Sequence, residues 1–352
     1  MRKALLLLLF LVMLPVCVAE RILVTSDLHL TDDMAAHEAT LKALQKAAEG
    51  VDGVIILGDS TNNAHGKEHA NALTSLGGLG RPAYVIPGNH DVRRDHPASF
   101  IGMYTAYGWG GAYSRDADSA SCAILTDGGT CLLLLDTNDT SDGVAALGGI
   151  SAKTCAWVAE TIASLPEHTR IVACGHHPIL PEARWEKTPG ADRLVDALRG
   201  VKLYLCGHDH GFAATAAYGI QQITVGQPQA YPGWAGLLEV GSGTFRWRVL
   251  PLYDADTQSA MRERSRQTGL RMGLSLMKGS PYEGDDDMIR WFTDAFDAIM
   301  SSDLTEDRCE RMLADPAAHR WRRVETKTVV MKWLFGILEQ CPQDVREIVI
   351  GE

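Results

Sequence analysis

Five short blocks of this chain carry side chains that bind metal ions or move protons. They are Asp27-Leu28-His29, Gly58-Asp59, Gly88-Asn89-His90-Asp91, Gly175-His176-His177 and Gly207-His208-Asp209-His210, and each follows an apolar run. Carboxylate oxygens, an amide oxygen and imidazole nitrogens form a mixed donor set that favours Mn, Fe, Zn or Co over Ca or Mg. Two histidines at i, i+2 after a strand, as in "GHDH", waste core packing unless they bind something. Two divalent ions about 3.5–4 Å apart need a shared anionic ligand, which one carboxylate supplies, and such a pair turns bound water into a nucleophile near neutral pH. The chain has neither the C-x-x-C pair of a thiolate zinc site nor the H-E-x-x-H helix of a peptidase.

Elements must deliver these blocks to one place. "RILVTSD", "GVIILGD", "AYVIPGNHD", "RIVACGHHP" and "VKLYLCGHDH" read as strands whose exits hold the blocks, and loops at carboxyl ends of strands define the crevice of an open α/β sheet. Residues two apart in an extended segment point the same way, which pairs Asp27 with His29 and His208 with His210. Between the strands, "MAAHEATLKALQKAAEG", "HGKEHANALTSL", "SAKTCAWVAETIASL" and "ADRLVDALRG" have helical periodicity, and "SCAILTDGGTCLLLLDT" reads as a hairpin. Helices alternate with strands early, while "AAYGIQQITVG", "GWAGLLEVGSG" and "TFRWRVLPLYD" are strands in succession. That order predicts a layered α/β domain with room for more than one sheet. Beyond Ala255, "DTQSAMRERSRQTGLRMGLSLMKGS", "DDDMIRWFTDAFDAIMSSD" and "AAHRWRRVETKTVVMKWLFGILEQC" read as amphipathic helices of an all-α segment, with only a terminal "IVIG" of strand character.

In this order over residues 27–210, the blocks resemble the calcineurin-like metallophosphoesterases, whose pattern is Asp-x-His, Gly-Asp, Gly-Asn-His-(Asp/Glu), a further His, then Gly-His-x-His. The resemblance implies a layered β-sandwich flanked by helices over residues 20–254, followed by a small helical domain over 255–352. It implies one ion on Asp27, His29, Asp59 and His210, and a second on Asp59, Asn89, His176 and His208, with Asp59 shared. It further implies that a metal-bridging hydroxide attacks phosphorus, that His90 donates to the leaving group, and that Asp91 orients His90. "LGDSTNNAHGKEH" resembles a bacterial branch of exported cyclic-nucleotide phosphodiesterases with an added helical domain, although Ser60 and Ala64 depart from its usual Leu and Gly. Asn62, Asn63 and His65 are candidate pocket residues, His177 is either pocket lining or structural, and His69 reads as solvated. Asp136-Thr137 is left as structural. The expected activity is hydrolysis of a small phosphodiester, a nucleotide or cyclic nucleotide being the candidate. A phosphomonoesterase or nucleotidase, or an inactive binding protein on the same fold, are the alternatives.

A net charge of −11 excludes a surface built to coat nucleic acid but leaves room for a small phosphorylated substrate held by metal ions. Residues 1–19 read as an export signal. Arg2 and Lys3 precede an apolar core over Ala4–Leu14, and the segment exits at Cys17-Val18-Ala19. A secreted or envelope-associated protein follows, with membrane attachment only through an uncleaved signal or a lipid on Cys17. Seven cysteines remain after the signal, and an odd number cannot all pair. Cys122 with Cys131 and Cys309 with Cys341 are the candidate pairs, while Cys174 and Cys206 read as buried apolar groups.

Overall fold

A computed structural model of the chain describes residues 19–92, 97–139, 145–180, 188–324 and 329–351; the export-signal reading concerns residues 1–19, of which 1–18, including Cys17, lie outside them. In chain order the first half contains β1 (Glu20–Thr25), α1 (Glu38–Ala48), β2 (Gly53–Ile56), α2 (Gly66–Gly77), β3 (Ala83–Val85) and α3 (Ala98–Tyr104). There follow β4 (Ser114–Arg115), β5 (Cys122–Leu125), β6 (Thr130–Leu134), α4 (Ala152–Ser164), β7 (Arg170–Cys174), α5 (Ala191–Ala197) and β8 (Leu203–Cys206). The strand-rich stretch is β9 (Ala213–Ala217), β10 (Ile220–Thr224), β11 (Trp234–Gly241) and β12 (Thr244–Pro251). "AAYGIQQITVG" is therefore a hairpin rather than one strand, turning at Tyr218-Gly219, both at positive φ.

Two sheets form. One has the order β12-β11-β1-β2-β3, with β1, β2 and β3 parallel, and the other runs β4-β5-β6-β7-β8-β10-β9, with β6, β7, β8 and β10 parallel. Strand alternation sorts the run "LLLLL" between two faces. Leu132 and Leu134 join Ile22, Val24, Val54, Ile56, Val172 and Leu205 in the central core, whereas Leu133 and Leu135 join Val158 and Leu194 of α4 and α5 outside. The result is a mixed α/β, two-sheet sandwich with helices on its flanks, as the sequence predicts. The same alternation separates Cys122 from Cys131. Cys122 lies in the central core opposite Leu134, while Cys131 lies on the outer face opposite Leu125, so the expected pair across the hairpin does not meet.

The C-terminal region contains α6 (Ala255–Met277), α7 (Asp286–Met300), α8 (Glu306–Ala314), α9 (Pro316–Trp321) and α10 (Val329–Gln340). Asp254, Asp285, Thr305 and Asp315 cap the first four by accepting backbone N–H bonds. Their apolar faces meet in a second core built on Phe292, Trp321 and Leu334. Two expectations change here. The segment read as one helix from Ala317 is split into α9 and α10, and α8 was not foreseen. The final strand β13 (Glu347–Gly351) returns to pair antiparallel with β12, so the chain's end belongs to the first sheet rather than to the helices. Cys309 and Cys341 are free thiols whose side chains touch, and burial together with that contact pushes the Cys309 thiol up to about 12.

Candidate metal centre

The five blocks converge at the carboxyl ends of the parallel strands, the loops after β1, β2 and β3 facing those after β7 and β8. Asp27, His29, Asp59, His208 and His210 all have left-handed backbones, with φ of 55°, 44°, 51°, 75° and 59°. The pairs Asp27/His29 and His208/His210 therefore do not converge through strand alternation, as the sequence alone suggested. They converge because the chain leaves each strand and coils, a conformation costly for residues with a Cβ and retained chiefly at functional sites. Close approach also explains two glycines. A Cβ on Gly58 would lie 2.6 Å from His176 Nδ1, and one on Gly207 would lie 1.8 Å from Ser26 Oγ.

Two groups of donor atoms result: Asp27, His29, Asp59 and His210 form one, and His176, His177 and His208 the other, beside which Asp59 and Asn89 add oxygens. In the first, His29 Nε2 and His210 Nε2 are 3.0 Å apart, His210 Nε2 is 3.5 Å from Asp27 Oδ1, and His29 Nε2 is 3.7 Å from Asp59 Oδ2. In the second, His176 Nε2 lies 3.3 Å from Asp59 Oδ2 and 3.2 Å from Asn89 Oδ1, which is also 3.1 Å from His208 Nδ1. Asp59 Oδ2 stands between the groups, while Asp59 Oδ1 accepts the His90 backbone N–H at 2.8 Å. Donors bound to one ion at about 2.0–2.2 Å in tetrahedral array are roughly 3.3 Å apart, which is the spacing seen in both groups. Asp27 Oδ1 is buried with no hydrogen-bond partner, as an oxygen reserved for a cation would be. His176 Nδ1 donates to the Leu57 carbonyl at 2.7 Å, which leaves Nε2 as the nitrogen that could face a cation.

The electrostatics carry the same demand for positive charge. Burial pushes the His29, His208 and His210 imidazoles down to about 4, 3 and 4, so all three are neutral donors at pH 7. Burial raises the Asp27 carboxyl to about 7, with Asp59 adding to the rise against the opposing His176. Burial opposes charge at His176 and Asp59 too, yet their mutual attraction and hydrogen bond outweigh it. His176 is lifted to about 9 and Asp59 is held below the usual carboxylate range. A proton on His176 thus occupies the place where the oxygens around it call for a cation.

The remaining sequence candidates fall into three sets. His90 lies at the centre, its ring edge-on to His29 at 4.7 Å, with Nδ1 donating to the Asn62 carbonyl at 2.7 Å. Asp91 does not orient it. Its two oxygens accept from Ser60 N, Thr61 N, Thr61 Oγ1 and Gly88 N, so this carboxylate ties the loop after β2 to the loop after β3, and the Asn62 carbonyl holds the imidazole instead. His177 is 1% exposed, with Nδ1 2.7 Å from Thr137 Oγ1 and its ring 4.5 Å from that of His208. Thr137 holds its Nδ1, its Nε2 is buried with no hydrogen-bond partner, and a donor nitrogen of the ring lies within 4.8 Å of those of His176 and His208. Asn63 is tied to Glu68 through its backbone N–H and Nδ2, and His65 is exposed at the start of α2. His69, expected in solvent, is buried against the Tyr104 hydroxyl at 2.9 Å. Asn63, His65, His69, Val92 and Met103 line a cleft of about 650 Å³ beside Asp91.

Sequence reasoning missed two glutamines. Gln229 Nε2 donates to the carbonyls of Asp27 and Leu28, and Gln222 Oε1 accepts the backbone N–H groups of Ile179 and Leu180 just past His177. No spacing rule marks a side-chain amide that acts on a backbone 42 or 43 residues away, as Gln222 does, or 201 and 202 residues away, as Gln229 does.

Comparison with known proteins agrees with this geometry. Residues 20–212 match the sequence profile of the calcineurin-like phosphoesterases. The chain is 26% identical over 191 residues to glycerophosphodiester phosphodiesterase GpdQ of Enterobacter lignolyticus, covering 52% of this chain and 65% of that protein. It is 24% identical over 178 residues to the 3',5'-cyclic-nucleotide phosphodiesterase alr5338 of Nostoc sp., covering 49% and 60%. It thus spans somewhat under two thirds of the length of these curated relatives. Among solved structures, a dimetal phosphatase from Danio rerio superposes with a TM-score of 0.53 at 15% identity, over 67% of this chain and 98% of that one, a likeness of fold.

Proposed function

The chain belongs to the calcineurin-like phosphoesterase family, and from that membership we propose that it is a dimetal phosphodiesterase acting on a small diester such as a cyclic nucleotide or a glycerophosphodiester. The observation that carries the reading is the placement of Asp59 Oδ2 between two groups of donors at ion-binding spacing. Asp27, His29, Asp59 and His210 would hold one divalent ion, and Asp59, Asn89, His176 and His208 the other. Mixed imidazole and oxygen donors fit Mn, Fe, Zn or Co. When bound, such a pair neutralises phosphoryl oxygens and lowers the pKa of water.

The chain's own residues supply the rest. The neutral imidazoles of His29, His208 and His210 offer lone pairs without first losing a proton at neutral pH. A water would add to phosphorus and give up a proton to a phosphoryl oxygen or solvent as the bond to the leaving oxygen breaks. That oxygen would take its proton from Nε2 of a His90 imidazolium, whose Nδ1–H stays on the Asn62 carbonyl and whose Nε2 is reprotonated from solvent for the next cycle. The Asn62 carbonyl fixes the His90 ring through Nδ1, which aims Nε2. The cleft beside Asp91 is the place for the leaving alcohol: Val92 and Met103 give it an apolar side, and His65 a polar rim. The diester preference draws support from the two curated relatives, both named as phosphodiesterases.

The test is turnover by metal-loaded protein of bis(4-nitrophenyl) phosphate, 4-nitrophenyl phosphate, a 3',5'-cyclic nucleotide and a glycerophosphodiester, each with Mn, Fe, Zn and Co. Faster cleavage of diesters is expected. Preference for the monoester favours a phosphatase, and turnover of none defeats the enzymatic reading. Export through residues 1–19 belongs to the same proposal and is checked by the N-terminal sequence of the mature protein, expected to begin at Glu20.

A further inference from the structure

The first donor group is assembled from distant parts of the chain: His29 and His210 are 181 residues apart, yet their Nε2 atoms approach to 3.0 Å. Asp27 and His29 come from the loop after β1, and His210 comes from the loop after β8. One segment touches both parts. Between β10 and β11, the backbone N–H of Gln227 donates to the His210 carbonyl at 3.3 Å. Two residues on, Gln229 Nε2 donates to the Asp27 carbonyl at 2.9 Å and the Leu28 carbonyl at 3.2 Å. Those carbonyls belong to the two peptide units that join Asp27 to His29. Carbonyls only accept, so the amide must face them with its nitrogen, and Gln229 Oε1 is left buried with no partner.

The turn held in this way is strained. Asp27 and His29 stand at φ of 55° and 44°, where L-residues are rarely stable without outside support. Resting on the reading that Asp27, His29, Asp59 and His210 hold an ion, we propose that Gln229 is a positioning residue for that ion. It locks the left-handed Asp27-Leu28-His29 turn in register with His210. The second donor group has its own supports, the Leu57 carbonyl on His176 and the Thr137 hydroxyl on the neighbouring His177, and Gln229 touches neither. Asp27 Oδ2 also accepts the His208 backbone N–H at 3.1 Å, so loss of Gln229 acts first and most strongly on the ion of the first group, with a weaker effect passed to the second.

The experiment compares wild type, Gln229→Ala and Gln229→Glu. Each is loaded with Mn²⁺, freed of unbound metal, and read by elemental analysis and by the rate of Mn²⁺ release to EDTA. Wild type is expected to hold two ions. Both variants are expected to keep one and to need about 10–100-fold more Mn²⁺ to fill the other, with turnover restored at high Mn²⁺. Gln229→Glu keeps the length and packing of the side chain but offers no N–H to the two carbonyls. If it retains two ions with the wild-type release rate, the proposal fails. Parallel loss of both ions also overturns it. So does a large fall in the unfolding midpoint of both variants in EDTA, since Gln229 would then hold the fold and not the ion. A wild type that holds two ions and cleaves no diester would refute the proposed activity, while the ion count would still decide the role of Gln229.

Discussion

The two halves of the centre share Asp59 and differ in almost everything else. The first, with Asp27, His29 and His210, reaches solvent at one residue: the His210 side chain is 44% exposed while those of His29 and Asp27 are 12% and 0%, and all three stand, like Asp59, on left-handed backbone. The second, with Asn89, His176 and His208, sits deeper. His176 is fully buried, its tautomer fixed by the Leu57 carbonyl, with His177 packed edge-on behind it. Each left-handed residue costs on the order of 1 kcal/mol or more, so the first half, with three such residues besides Asp59, stores more strain than the second, where His208 alone besides Asp59 is left-handed. On the proposed two-ion reading, the ion beside the partly exposed His210 would exchange more readily than the one beside the buried His176.

The largest expected effect removes the comparison altogether. Asp59→Asn takes away the shared anion, and both ions should be lost on gel filtration with turnover falling at least about 10³-fold, read by elemental analysis and diester assay. His210→Ala should be one-sided: one ion lost, the second kept, and turnover reduced by about 10²-fold or more. Near-normal turnover would show that the half holding His210 is dispensable. His90→Ala should leave two ions in place while turnover drops about 10²-fold, since this imidazole serves the leaving oxygen and not the metals. Loss of metal from that variant would move His90 into the ligand set.

The smallest effect is a count of protons. At pH 8 His29, His208 and His210, pushed down to about 4, 3 and 4, are already neutral, and Asp27, raised to about 7, is mostly ionised. His176, lifted to about 9, still carries its proton and must lose it to coordinate. Metal loading at pH 8 should therefore release about two protons per chain, one from His176 and one from the water that the proposed ion pair would ionise, and from pH 9 down to 7 the half holding His176 should weaken more than the half holding His210. A weakly buffered titration with an indicator dye reads the number. Release of three or more would mean that His29, His208 or His210 begins protonated, which contradicts the burial argument.

Much of this was legible in the sequence because ligand chemistry is local. Asp27-x-His29, Gly58-Asp59, Gly88-Asn89-His90 and Gly207-His208-x-His210 each pair a donor with the strand exit that presents it, and apolar runs mark the strands. What was not legible depends on distance along the chain. Asp91 looked like a partner for its neighbour His90, but folding sets its carboxylate among the N–H groups of Ser60, Thr61 and Gly88. His69 looked solvated until Tyr104 of α3 covers it. Gln229 had no motif around it, since its role arises when the loop after β10 meets the loop after β1. The return of β13 to β12 escaped the pattern of the helical region for the same reason, a strand being defined by its neighbour.

The central claim, that Asp59 joins two ions at a hydrolytic centre, is tested most directly by anomalous diffraction at the manganese edge from crystals loaded with Mn²⁺. The account predicts two peaks about 3.5–4 Å apart on either side of Asp59 Oδ2, one among Asp27, His29 and His210 and the other among Asn89, His176 and His208. A single peak, or two peaks that do not share Asp59, would contradict it.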